Sequence, residues 1–128
     1  MKKFPFKRGD VYVVDFPLPD ALGKTITKFM VNLQEGSIID YTSTMVGQII
    51  TTLKSPDPLK LYPTDVLLSP EESKTKYGAK VLCNQIHTID KKQILDIKYH
   101  FSLPTMREID KKLLLGIGLI KIEDFIKK

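Results

Sequence analysis

The segment Val81-Leu82-Cys83-Asn84-Gln85-Ile86-His87-Thr88-Ile89-Asp90 changes from apolar to polar and ionisable side chains along its length. Histidine is the side-chain type that titrates near neutral pH, so His87 is the candidate general acid or base. Val81, Leu82, Cys83 and Ile86 read as a half-buried strand, and the fully polar Asp90-Lys91-Lys92-Gln93 predicts that the strand stops near His87. A polar cluster at a strand end is held by the strand while substrate reaches it. The plainer reading is a solvated turn with a structural histidine.

Other chemistries find less support. The single cysteine, Cys83, cannot form an internal disulfide and sits among apolar residues, so it reads as a small buried hydrophobe. The two histidines, His87 and His100, lie far apart with no ligand-spaced Cys or carboxylate pattern, so neither a metal nor another cofactor is expected. No apolar run approaches the roughly 20 residues of a spanning helix. Met1 to Arg8 lacks the apolar core of a signal peptide, and a cytoplasmic protein is expected. A net charge of +5 tilts the expected partners toward polyanions such as nucleic acid.

The elements that must position His87 can be read in order. At 128 residues the chain is expected to be one domain, 1–128. Val11 to Phe16 is a β-rich first strand ended by Pro17 and Pro19. Asp20 to Thr27, with Gly23 and Lys24, reads as a ligand-closing loop, and Phe29 to Leu33 as a second strand. Gln34 to Ser37 is a predicted turn, and Ile38-Ile39-Asp40-Tyr41 is expected to continue pairing. Met45 to Thr52 is a third strand with Gly47 as a candidate bulge. Pro56, Pro58 and Pro63 mark a loop, Val66-Leu67-Leu68 is a short apolar run, Ser69 to Ser73 a turn, and Ile94 to Phe101 another strand. Thr105-x-x-Glu108 fits a capping box, and Met106, Ile109, Leu113, Leu114 and Ile117 recur at helical spacing, with Gly116 and Gly118 placed to end the helix. Leu119 to Lys128 reads as a short covering or interface helix. Short strands, Pro and Gly turns and one late helix predict a mainly β, partly open barrel.

Three spaced features together resemble the PemK/MazF family of toxin endoribonucleases. Arg8-Gly9-Asp10-Val11-Tyr12-Val13-Val14-Asp15-Phe16 resembles its first strand, and Cys83 to Lys91 its Asp-Gln-(Val/Ile)-Arg-(Ser/Thr)-Ile-Asp segment. Leu103 to Leu119 resembles its closing helix, with Met106, Ile109 and Asp110 in the Met-x-x-Ile-Asp core. The resemblance implies an SH3-like small β-barrel with a C-terminal α-helix, a homodimer, a cognate antitoxin, and metal-independent cleavage of single-stranded RNA. Residue by residue, the family's Arg-Pro is matched by Lys28-Phe29, its Ile-Thr-(Ser/Thr) by Ile50-Thr51-Thr52, and its central arginine by His87.

The catalytic set implied is therefore His87, Lys28 and Thr51, with Gln85, Thr88, Asp90, Thr52 and Lys24 as substrate-binding residues. Lysine offsets phosphate charge as a point charge, without the planar fork of arginine. Two other readings remain open. One is a non-cleaving barrel that binds RNA, an antitoxin or a topoisomerase-type protein target, favoured by replacement of both family arginines. The other is a purely structural barrel.

Overall fold

Asp10–Pro17 forms the first strand, β1, because Val11 to Phe16 is β-branched or aromatic at every position but Asp15. A computed structural model describes residues 6–17, 23–55, 61–119 and 121. The chain continues through β2 (Thr25–Asn32), a one-turn helix α1 (Gly36–Ile39), β3 (Thr44–Thr52), β4 (Asp65–Leu68) and a second one-turn helix α2 (Pro70–Ser73). It ends with β5 (Ala79–Asp90), a 3₁₀ turn (Lys91–Gln93), β6 (Ile94–His100) and the helix α3 (Leu103–Gly116). The strands form one sheet in the order β4-β5-β3-β2-β1-β6. Its two ends do not join, so the mainly β, barrel-like expectation is met by an unclosed six-stranded antiparallel sheet with a C-terminal helix.

Two compact units divide the chain, one of Met1–Ile50 with Ile86–Phe101 and one of Thr51–Gln85 with Ser102–Lys128. In the first, β1 lies between β2 and β6, with Val14 opposite Lys28 and Asp10 opposite His100. Val11, Tyr12, Val14, Met30, Val31 and Ile39 are fully buried there. The β1–β6 register shifts twice, between Val11 and Tyr12 and between Val13 and Val14, at Lys98 and Leu95 of β6. Such bulges twist an edge strand away from further pairing.

In the second unit β4 pairs with β5, Val66 opposite Val81, and α3 packs on β4. Met106 and Ile109, three residues apart on α3, are buried along with Val66, Leu68, Ala79, Val81 and Cys83. The Thr105 hydroxyl donates to Glu72, tying α3 to α2.

Several local expectations are corrected. β2 starts at Thr25 rather than Phe29, because Thr25, Ile26 and Thr27 pair with Pro17, Phe16 and Asp15; the predicted loop shrinks accordingly, and its residues 20–22 lie outside the described residues. Ile38 and Ile39 do not pair as a strand. Their amides donate to the Glu35 carbonyl and close the turn of α1, which buries Ile39. Ser69 to Ser73 winds into α2, capped by the Ser69 hydroxyl accepting from Glu72 N–H at 3.1 Å. The cap of α3 is Ser102, which accepts from Thr105 N–H, so Thr105 stands inside the helix. Pro104, near the helix start, needs no donor partner. Gly116 ends α3 as expected, with Gly118 left-handed at φ 80°. Of the predicted tail helix, residues 120 and 122–128 lie outside the described residues.

Gly47 is not a bulge, since β2 and β3 pair in unbroken register from Phe29–Ile50 to Asn32–Gly47. It is a close-approach position: a Cβ there would stand 2.5 Å from the Val31 carbonyl oxygen. Gly47→Ala is expected to destabilise the fold by about 1–3 kcal/mol through forced backbone movement. A urea midpoint equal to that of the parent protein would remove this reading.

Candidate functional site

β5 does not stop at His87; it carries His87, Thr88, Ile89 and Asp90 as strand residues. Ile89 is buried between exposed Thr88 and Asp90, so period-two alternation persists through the polar end and keeps it extended. The polar residues therefore lie along the strand rather than beyond it. Asp90 serves the next turn: its side chain accepts from Lys92 N–H at 2.9 Å, while the Gln93 side chain accepts from Asp90 N–H at 2.8 Å. Gln93 also donates to the Asp15 carbonyl at 3.0 Å, pinning this end of β5 to β1.

Residues 10, 12, 14 and 16 of β1 share one face. Lys28 stands half-buried opposite Val14 on that face, and two residues further on Phe16 meets the His87 ring edge to face, at 5.5 Å between centroids and 90° between planes. Lys28 pairs at Val14 and His87 packs on Phe16, two residues further along the same strand. His87 is half-buried, and its Nε2 is enclosed without a hydrogen-bond partner among the described residues. An unpaired buried nitrogen costs roughly 1–3 kcal/mol, which a ligand that supplied the missing hydrogen bond would recover.

Thr88 is exposed on β5, and Lys24 is exposed immediately before β2. Thr51, Thr52 and Gln85 belong to the second unit, all three exposed, the threonines at the end of β3 and Gln85 on β5. Chain continuity relates Thr51 to Lys28: Phe29, next to Lys28, pairs with Ile50, the residue before Thr51.

Cys83 is fully buried, and burial pushes its thiol up to about 12, with Asp65 adding to the rise. It is no nucleophile at neutral pH. Among the described residues no group of three His, Cys, Asp or Glu side chains could hold a metal ion, and no helix is long and apolar enough to cross a membrane.

Sequence reasoning missed two features. Phe16, by sequence only a strand residue, packs edge to face on the His87 ring. Asp10 and His100, 90 residues apart, join in a close pair at the other end of β1. The shared face of Asp10 and Tyr12 was a usable signal for the first half of that pair; its partner follows only from the β1–β6 register.

The sequence profile of the "PemK-like, MazF-like toxin of type II toxin-antitoxin system" matches residues 7–117. Among solved structures, the chain is similar to an endoribonuclease in complex with its cognate antitoxin from a mycobacterial species, with TM-score 0.69 and 23% identity over 90% of this chain and 97% of that one. It is similar to a MazE–MazF structure from Deinococcus radiodurans, with TM-score 0.71 and 16% identity over 92% of this chain and 100% of that one. It is also similar to the Mycobacterium tuberculosis toxin MazF-mt6, with TM-score 0.67 and 12% identity over 88% and 99%. At these identities the structural likeness establishes the fold, and the profile match establishes the family.

Proposed function

We propose that this chain, which belongs to the PemK-like, MazF-like toxin family of type II toxin–antitoxin systems, is a metal-independent endoribonuclease cutting single-stranded RNA in the cytoplasm. The observation that carries the reading is His87, whose ring packs on Phe16, two residues along β1 from the partner of Lys28, with an Nε2 that no group of the described residues engages.

In this mechanism the RNA 2′-oxygen attacks the adjacent phosphorus, the bond to the 5′-oxygen breaks, and the products are a 2′,3′-cyclic phosphate and a 5′-hydroxyl. His87 takes or returns a proton at its free ring nitrogen. Lys28 offsets the charge that builds on the phosphorane, and Thr51 donates a hydrogen bond to it. Gln85, Thr88, Asp90, Thr52 and Lys24 contact the flanking nucleotides, whose bases splay onto the barrel and its loops.

The structures of an endoribonuclease with its cognate antitoxin and of MazE–MazF support a cognate antitoxin as partner. Exposed Leu114, Ile117 and Leu119 at the end of α3 support a homodimer, because an apolar patch of this kind invites association.

One observation favours a second reading, in which the barrel binds RNA, an antitoxin or a topoisomerase-type target without cutting. Lys28 and His87 occupy the two positions where the family resemblance calls for arginine. The deciding experiment incubates the protein with a long mixed-sequence RNA in EDTA and maps new ends by primer extension. Discrete cuts bearing 5′-hydroxyl ends are expected. Cuts that need added divalent cation would overturn metal independence, and RNA bound but intact would establish the second reading.

A further inference from the structure

The end of β1 remote from Phe16 holds a histidine that the cleavage chemistry leaves unused. Asp10, 4% exposed, faces His100 across the β1–β6 pair. Its Oδ1 lies 2.6 Å from His100 Nδ1. Its Oδ2 accepts from the Tyr12 hydroxyl at 3.2 Å and from the Lys7 backbone N–H at 3.3 Å. Asp10 N–H returns a bond to the Lys7 carbonyl at 3.1 Å, and Gly9, at φ 95°, makes the tight turn between them. A carboxylate on Nδ1 fixes the tautomer with hydrogen on that nitrogen and leaves Nε2 for another partner. The His100 side chain is 56% exposed, and with Lys7, Asp10 and Ile97 it lines a cavity of about 260 Å³.

We propose that this cavity is a phosphate-binding subsite for single-stranded RNA, in which His100 and Lys7 hold a backbone phosphate outside the cleavage centre. The inference rests on the reading of the chain as an RNA-cutting toxin. As an imidazolium, with Nδ1–H on Asp10, His100 donates Nε2–H, for which a phosphate is a suited acceptor, and Lys7, which lines the same cavity, adds a point charge. The acidic member of the lining does not oppose this, because both Asp10 oxygens are already engaged and the carboxylate is buried behind the ring. None of the four lining residues carries a hydroxyl or thiol, so the histidine has no nucleophile to activate there. One imidazole is likewise too few donors for a metal.

The source of the phosphate follows from position. Asp10 and Val14, the partner of Lys28, are four residues apart on β1, about 14 Å at about 3.4 Å per residue. Buried Tyr12 and Val14 occupy the strand between the two ends. Only a strand of several nucleotides reaches both, within the roughly 4–16 nucleotides that small nucleic-acid-binding barrels cover. Asp10 acts through His100, as a positioning residue.

The test uses the full chain and RNAs with a 2′-deoxy nucleotide at the cleavage position, one of about 12 nucleotides and one of about 4. With the long RNA, Lys7→Gln is expected to make the log–log salt slope of binding shallower by about 0.7. His100→Gln is expected to weaken long-RNA binding several-fold, and neither variant should alter binding of the short RNA. The imidazole nitrogen NMR signals of His100 are expected to move when long RNA is added, and not to move in an Asp10→Asn variant whose circular dichroism is unchanged. Unaltered slope and affinity in Lys7→Gln, whose side chain is exposed, overturn the proposal whatever the folding of His100→Gln. Inorganic phosphate that moves the His100 signals while the variants bind long RNA normally assigns the cavity to a free phosphate and also overturns it. Absence of RNA binding by the parent protein removes the nuclease reading and this subsite together, whereas cutting that is normal in every variant removes the subsite alone.

Discussion

His87→Ala is expected to abolish RNA cleavage while leaving the fold intact. Loss of a positioned acid or base costs roughly 100- to 10,000-fold in rate, or about 3–5 kcal/mol of transition-state stabilisation. The effect on stability should be small because two changes oppose each other. Removing the ring deletes the edge-to-face contact with Phe16, worth about 0.5–1.5 kcal/mol, but it also deletes an enclosed nitrogen left without a partner, which costs about 1–3 kcal/mol in the parent. Single-turnover cleavage of a mapped site, with urea unfolding alongside, separates the two quantities. Full activity in the variant would remove His87 from the mechanism. Lost activity with an equal loss of stability would make the histidine structural.

The strands that carry this site were legible where the chain is locally consistent. Val11 to Phe16 and Met45 to Thr52 are rich in strand formers despite Asp15 in the first and Gly47 and Gln48 in the second, and each became a strand within a residue or two of the expected ends. Thr25 to Thr27 hid because they follow Gly23 and Lys24, so polar context masked three β-branched residues that the β1 register recruits. Ile38 and Ile39 misled in the opposite sense. Two adjacent isoleucines look like a strand, but hydrogen bonds to Glu35 and Gly36 close a turn before any strand can form. The same competition placed the start of α3, where a serine just before Pro104 captured the free amide of Thr105.

The site was legible in type rather than in environment. Position 87 was identifiable because it is a histidine in a strand-like run, but its contact with Phe16 and its enclosed Nε2 depend on packing between residues 71 positions apart. Asp90 has a local role that its type did not announce: its carboxylate caps the turn that follows. The Asp10–His100 pair was out of reach for a different reason, since two register slips in β6 decide which of its residues faces Asp10.

Alkaline pH is expected to unfold the protein through two buried acids, one in each unit. Burial, followed by the charge of Asp65, raises the Cys83 thiol from 9.0 to about 12; Lys112 pulls the other way, and Glu108 and Asp110 add lesser rises. Burial also raises the Tyr12 phenol above its ordinary 10.0, and the Asp10 carboxylate adds to the rise by charge and by hydrogen bond. Both groups are neutral when protonated, so the unfolded chain releases protons that the folded chain retains. The unfolded state then binds fewer protons, and unfolding free energy falls as pH rises. The contribution is complete below about pH 9 and is lost toward pH 12, within the range the Cys83 shift sets. One such group gives a slope of about 1.4 kcal/mol per pH unit, and two together about 2.7. Against a typical total of about 5–15 kcal/mol, that loss reaches the unfolding threshold within a few pH units. Urea midpoints taken across this range should therefore fall steeply. In Cys83→Ala the curve should start lower, because a buried side chain is truncated, and fall less steeply, because one of the two titrating groups is gone. Parallel curves would show that Cys83 does not carry its share, and the loss of stability would then belong to Tyr12.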